Sequence, residues 1–473
     1  MPRRTARRTS RTSVRTALTA WLSRPLADFH LILAVFGLLT IFGLVMVLSA
    51  SIPDSLNKFD SSYVIFGKQL IYVLGGVALF WIALRLPART IRRLSIPAMV
   101  VSLVLLILVL VPGLGAEINK ARSWFKVGPL SFQPVEPAKV ALVLWGSHVL
   151  ATKRALLHQW RHLLVPLVPA ALMMFALLML QPDLGSTITL AIIVLAMLWF
   201  AGAPMRLFGV IALGAVTGAI ALAMMASYRL QRLTSFFNPD ADQAASYQAR
   251  QAELALADGG LFGVGLGQGS SKWSYLPNVH NDFIFAVVGE ELGLVGALLV
   301  LTLFGLLAYV GLRISQRNTD PWIRLVSSTM TVWLVAQAAI NIGYVVGLLP
   351  VTGLTLPMIS SGGTSIAVTM LVFGILANNA RHEPEAVAAL RTLGPGRVGK
   401  LLRLPAPEPY RPPARRKPVR PSTPPRQGGR PARQTTHQPA ALQEDRRRTR
   451  RGAGGADPRR RAGNPGTREG RIR

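Results

Sequence analysis

Residues 273–293 read WSYLPNVHNDFIFAVVGEELG. A long polar segment ends there at Asn281-Asp282, and an apolar run of membrane-crossing length begins at Phe283. Asp282 is thereby set at a membrane–water boundary. Glu290 and Glu291 lie two turns further into the apolar helix. Ionisable groups at that depth are costly and are usually functional. Two readings of Asp282 follow from the residues alone: a cap for the helix behind it, a role Asn281 also fits, or a working carboxylate.

Outward from this stretch, apolar runs long enough for about 30 Å of hydrocarbon recur at 31–50, 70–84, 96–111, 137–150, 163–180, 187–203, 207–226, 283–312, 323–349 and 365–377. The fourth is short and interrupted by Lys139. The eighth and ninth are long enough to tilt or protrude. The expected fold is an all-α polytopic membrane protein of about ten transmembrane helices. A large extracytoplasmic loop, 227–282, precedes the eighth span. Residues 1–30 form a basic cytoplasmic segment, 31–380 the membrane domain, and 381–473 a Pro/Arg-rich cytoplasmic tail expected to be disordered.

Composition agrees with this class. The 473 residues are 51% hydrophobic and only 15% charged, against about 25% charged in soluble domains. No cysteine is present, which excludes disulfides, thiol catalysis and thiolate metal sites. The net charge of +31 suggests nucleic acid at first sight, but it sits in the tails. Residues 1–30 carry seven Arg against Asp28, and residues 381–473 carry 24 Lys and Arg against seven acids. Arg446-Arg447-Arg448 and Arg459-Arg460-Arg461 suit anionic headgroups or an acidic partner. No aromatics interleave for base stacking, so nucleic acid is not expected.

The positive-inside rule puts both termini in the cytoplasm. The basic loops 85–93, 153–161 and 313–324 then fall inside. Loops 181–186 and 350–363, which contain no Lys or Arg, fall outside, as does 227–282.

Several polar constellations accompany Asp282. Residues 119–139, NKARSWFKVGPLSFQPVEPAK, put Arg122 and Lys126 in an external loop, suited to a phosphorylated headgroup. Glu136 and Lys139 are spaced for an internal ion pair. Asp183, in QPDLGS (181–186), either caps the next helix or lines the external site. The tract GGLFGVGLGQG (259–269) lacks the βαβ setting of a nucleotide loop, so close-packed or flexible backbone beside a substrate is expected. Asn341 lies within a span, and the Gly/Pro-rich segments at 350–357 and 360–365 follow it. Broken backbone at membrane depth implies a cavity or a protein cover.

Taken in order, GLVMVLSAS (43–51), FQPVEPAK (132–139), QPDLGS, GVGLGQG (263–269), the opening segment and NIGYVVGLLPVTGLTLPMISSGG (341–363) resemble the SEDS family of peptidoglycan polymerases over residues 28–380. The flavour is that of its division branch rather than its elongation branch. The family patterns NGARRW, FQPSE and SYGGS are altered here at Lys120, Ser123, Val135 and Ser360–Thr364.

The resemblance implies glycosyl transfer on lipid II, an undecaprenyl-pyrophosphate disaccharide peptide, in the cytoplasmic membrane at the division septum. It makes Asp282 the essential residue, as base for the acceptor hydroxyl. Arg122, Lys126 and Arg232 are candidate cations for the leaving pyrophosphate, with or without a divalent cation (Mg or Mn). Lys272, His280 and Asn281 are candidate substrate contacts. Glu136, Lys139, Asp183, Glu290, Glu291, Asn341 and Ser360 are candidate structural or tuning residues. The implied partner is a class B penicillin-binding protein, with other division proteins engaged through the basic tail. A lipid II flippase and a non-catalytic scaffold are the alternative classes.

Overall fold

The computed structural model describes residue 20 and residues 22–118, 121–128, 130–156, 159–225, 243–273 and 279–410. In chain order the helices are α1 (Ala27–Phe59), α2 (Val64–Arg85), α3 (Ala88–Leu108), α4 (Val135–Thr152), α5 (Trp160–Leu164), α6 (Leu167–Leu180), α7 (Leu184–Phe200), α8 (Met205–Met225), α9 (Gln243–Gly259), α10 (Ile284–Arg317), α11 (Pro321–Val345), α12 (Thr364–Arg381), α13 (Pro384–Thr392) and α14 (Gly396–Leu401). Each of the ten apolar runs falls on one of these helices, the fifth being divided between α5 and α6. Among the described residues five of them, α1, α2, α3, α10 and α11, are long and apolar enough to cross a membrane.

Burial separates an inner from an outer ring. On α1 to α3 and α10, large apolar side chains are exposed, among them Ile41 (64%), Leu74 (62%) and Val101 (55%). Such a surface is a liability in water and is what a helix presents to lipid. α12 is buried along almost its whole length, and α11 runs beside it through the centre. That position explains why α11 tolerates Ser327, Thr331, Gln337 and Asn341, all buried. Their polar atoms meet protein rather than hydrocarbon.

Three features depart from the sequence expectation. First, the fold is not purely helical. β1 (Ala116–Ile118), β2 (Ala121–Val127) and β3 (Leu130–Phe132) form an antiparallel sheet in the order β1-β2-β3. Lys126 pairs with Ser131 and Arg122 with Glu117 in its ladders. Second, the long segment before α10 contains α9, which packs on α10 and α11. Third, residues 384–401, assigned to the tail by composition, form α13 and α14. Pro384 starts α13 at a position where its missing N–H costs nothing, and Ala386, Val387 and Leu390 bury one face. Arg232, with all of 227–242, and the tail arginine clusters lie outside the described residues.

Candidate functional site

Asp282 sits in the turn that feeds α10, and its backbone is held from three sides. The His280 carbonyl accepts the Ser361 N–H at 2.9 Å. The Asp282 carbonyl accepts from Asn341 Nδ2 at 2.8 Å. The Tyr344 hydroxyl accepts from Asn341 Nδ2 at 2.6 Å and lies 2.8 Å from the Asp282 carbonyl and 2.7 Å from that of Leu354. Asn341 Nδ2 also lies 2.6 Å from the Leu354 carbonyl, which shares the two Nδ2 N–H groups with the Asp282 carbonyl and the Tyr344 hydroxyl. Residues 341 and 344 are three apart, hence on one face of α11. That face clamps the turn at 280–283 to the loop at 351–356.

The carboxylate itself is treated differently. Among the described residues it has neither an ion-pair partner nor a hydrogen-bond donor. Capping of α10 is therefore not its role, since no side-chain cap bond forms there. Burial pushes its pKa up to about 6, because desolvation disfavours the charged form. Facing it is Gly353, where a Cβ would stand 3.6 Å from Oδ2 of Asp282 and where φ is +73°. A side chain there would be both strained and turned toward the carboxylate.

The loop at 351–356 gathers the other motifs. On its far side, a Cβ at Gly185 would meet the Thr352 carbonyl at 3.2 Å. Asp183 caps α7: Oδ1 accepts from Ser186 N at 2.9 Å and Oδ2 from Ser186 Oγ at 2.7 Å. Asp183 Oδ2 also accepts from Gln133 Nε2 at 3.1 Å, which ties FQPVEP to the same end. Glu136 and Lys139 form the expected internal pair at 2.9 Å. Lys139 Nζ stands 5.1 Å from the Trp333 ring centroid. Trp333 donates to Gln337 and Gln337 to the Thr355 carbonyl, each at 2.9 Å. A continuous polar line thus runs from the buried pair to the loop facing Asp282. Ser360 serves this loop locally, its Oγ accepting the Leu356 N–H at 2.7 Å.

Glu290 and Glu291 also have named partners. Glu290 Oε1 accepts from the N–H groups of Ser270 (2.6 Å) and Ser271 (3.1 Å), and the Ser271 hydroxyl donates to Oε2. Glu291 is fully buried and takes Lys272 Nζ at 2.7 Å and Ser49 Oγ at 2.7 Å. Lys272 is therefore not the free substrate contact expected of it; it is 4% exposed and neutralises Glu291.

The glycine tract is the close-packed backbone that joins these groups. Val264 N donates to the Glu290 carbonyl at 2.9 Å and Gly265 N to that of Glu291 at 3.0 Å, where α10 kinks at Gly293. At Gly263, φ is +80° and a Cβ would lie 2.2 Å from the Glu291 carbonyl oxygen. Gly263→Ala should therefore cost more than about 2 kcal/mol, read as a lower melting temperature of the purified protein.

The remaining candidates are spread. His280 is buried, with Nδ1 3.3 Å from Asp54 Oδ2 of α1. Desolvation lowers its pKa, against the pull of Asp54, so the ring is neutral. Asn281 is partly buried next to Asp282. Arg122 pairs with Glu117 at 3.8 Å, and Lys126 is exposed. Ser49, Asp54, Tyr344 and Gly353 were not singled out from sequence. Only Tyr344 had a local signal, its three-residue spacing from Asn341.

The chain matches the family described as cell cycle protein, FtsW/RodA/SpoVE, over residues 29–385. It is 53% identical over 400 residues to the probable peptidoglycan glycosyltransferase FtsW of Mycobacterium tuberculosis, covering 84% of this chain and 76% of that one. It is 38% identical over 357 residues to the stage V sporulation protein E of Bacillus subtilis, covering 75% and 97%. Among solved structures, a chain from a peptidoglycan synthase complex that couples polymerization and crosslinking aligns with TM-score 0.60 and 29% identity, over 77% of this chain and 99% of that one. The rod shape determining protein RodA of Thermus thermophilus aligns with TM-score 0.55 at 29% identity, with the same coverage. With the matched segment spanning the helical bundle and every element that holds Asp282, the chain belongs to the FtsW/RodA/SpoVE family.

Proposed function

We propose that this chain is a peptidoglycan glycosyltransferase that polymerises lipid II during septal wall synthesis, with Asp282 as its general base. One observation carries the reading: a carboxylate on a rigidly held turn, largely desolvated and without a partner of its own among the described residues. An acceptor sugar hydroxyl attacks the anomeric carbon of the donor. The bond from that carbon to pyrophosphate breaks, and the hydroxyl proton passes to Asp282. A single displacement inverts the anomeric centre. The leaving pyrophosphate needs positive charge more than a proton, so one base plus cations suffices. Arg122 and Lys126 on β2 are the described candidates for that charge, and Arg232, which lies outside the described residues, is a third.

Among the described residues, no three histidines or carboxylates group as a metal cage. A divalent cation would then arrive with the pyrophosphate, the mode Mg²⁺ commonly uses. The topology that fits is ten spans with both termini cytoplasmic and Asp282 at the outer face. A class B penicillin-binding protein is the fitting partner, in line with the synthase complex among the structural relatives. Flipping of lipid II fits less well. Glu136 and Lys139 are closed on each other, and Asn341 is spent on the Asp282 turn, so they do not offer a polar path.

The test is incubation of the purified protein and its transpeptidase partner with lipid II in detergent. Glycan strands on a gel are expected without any sealed bilayer. Activity confined to sealed vesicles, as transbilayer movement without polymer, would overturn the proposal.

A further inference from the structure

At the end of the bundle away from Asp282, α2 ends, α3 and α11 begin and α12 ends. Eighteen residues of α12 set this end about 27 Å from its start beside the 280–283 turn. A cavity of about 330 Å³ opens there. Four arginines line it: Arg85, Arg89, Arg92 and Arg381. Two acids do so as well, Asp320 and Glu408, but neither balances the interior. Asp320 caps α11 through Trp322 N at 2.9 Å. Among the described residues Glu408 pairs with Arg89, at 3.2 Å, and both side chains are more than 60% exposed, where ion pairs are weak.

The other three guanidiniums rest on neutral groups. Arg381 is 3% exposed and donates to the carbonyls of Leu84 and Pro405. Arg92 donates to His148 Nδ1 at 2.7 Å and Thr152 Oγ1 at 3.3 Å. Arg85 stacks over Trp81, 4.5 Å from the ring centroid. Among the described residues none of the three has a carboxylate within ion-pair distance. One buried guanidinium, Arg381, and two half-buried ones, Arg85 and Arg92, without a paired carboxylate favour an anion, and guanidinium forks match phosphate oxygens.

The surroundings select the kind of phosphate. Beside the cavity, the outer faces of α2 and α3 carry exposed Ile82 (45%), Leu94 (51%) and Ile96 (50%), with Trp81 at the rim. Apolar helix faces below a basic pocket suit acyl chains below a headgroup, and Trp is favoured at that level. A soluble phosphate has no use for these faces.

We propose that this cavity binds the phosphodiester headgroup of an anionic phospholipid, and that Glu408, on the strand of chain 405–410 that walls it, competes with the phosphate for Arg89. The proposed topology bears on it only in naming the cytoplasmic leaflet as the source.

Native mass spectrometry of the full chain, with phosphatidylglycerol or phosphatidylcholine added in detergent, tests it. Wild type should retain phosphatidylglycerol over phosphatidylcholine by at least about tenfold. Arg85→Gln/Arg89→Gln, both on the accessible rim, should weaken phosphatidylglycerol by about thirtyfold, at roughly fivefold per arginine. Glu408→Gln should tighten it several-fold, a gain that misfolding cannot mimic. Inorganic phosphate at millimolar level should not displace the lipid. Equal retention of the two lipids, unchanged retention in the double variant, weaker retention in Glu408→Gln, or displacement by inorganic phosphate would each overturn the assignment.

Discussion

Asp282→Asn should abolish glycan-strand formation from lipid II, a loss of about 10²–10⁴-fold if proton removal by a positioned base is what it eliminates. The substitution keeps size and shape, and the turn is held through main-chain oxygen rather than the carboxylate. The variant should therefore insert, fold and bind the proposed transpeptidase partner. Its stability has a definite sign. The folded-state pKa of about 6 lies above the ordinary value of 3.8. The native state thus holds this proton more tightly than the unfolded chain does. The stabilisation from that proton is full below about pH 3.8 and disappears as pH rises through 6. At neutral pH the ionised carboxylate is a burden on the fold, and the asparagine variant should melt at the same temperature or higher. Activity lost together with a lower melting temperature would instead assign Asp282 a structural role.

The same shift predicts a pH profile. Wild-type polymerisation should fall to half near pH 6 on the acid side and reach a plateau by about pH 7.5, as the base becomes fully ionised. Initial rates across that range, at lipid II well below KM so that kcat/KM and hence the free enzyme's pKa is read, give the measurement. A profile flat down to pH 5 would rule out a base with this pKa.

How much of this could be read beforehand depended on the range of the forces involved. The helices were legible because membrane burial imposes an apolar run on each. Asp282 was legible because a polar segment abutting such a run is a local feature. α9 escaped because its contacts use small residues rather than a long apolar stretch: Ala252 and Ala255 are buried, and Leu256 reaches Gly289. The sheet escaped because β1 and β3 have three residues each, too few for period-two alternation to register. The partners of Glu291 were beyond reach altogether. Ser49 lies 242 positions away, and Lys272 presents itself as a basic residue in a polar loop, the usual guise of a substrate contact.

Lys272→Met should destabilise the protein by about 3–5 kcal/mol, because it leaves Glu291 charged and dry at the α1–α10 contact. An exposed pair would give below about 1 kcal/mol. Adding Glu291→Leu should recover most of the loss, since a buried pair replaced by apolar side chains is commonly neutral or better. Ser49 would then bond within its own helix. The double variant also decides what Lys272 does. If its work is to neutralise Glu291, restored stability should restore polymerisation with it. If the lysine reached the pyrophosphate of lipid II, the double variant would fold and remain inactive, with a raised KM for lipid II. The 2.7 Å contact to Glu291, the further bond to Ser49 at 3.1 Å and the near-complete burial of the ammonium favour the first outcome. Two of the ammonium's three donors are committed to Glu291 and Ser49. A thermal melt and a lipid II titration on the single and double variants, compared as a cycle, separate the two roles.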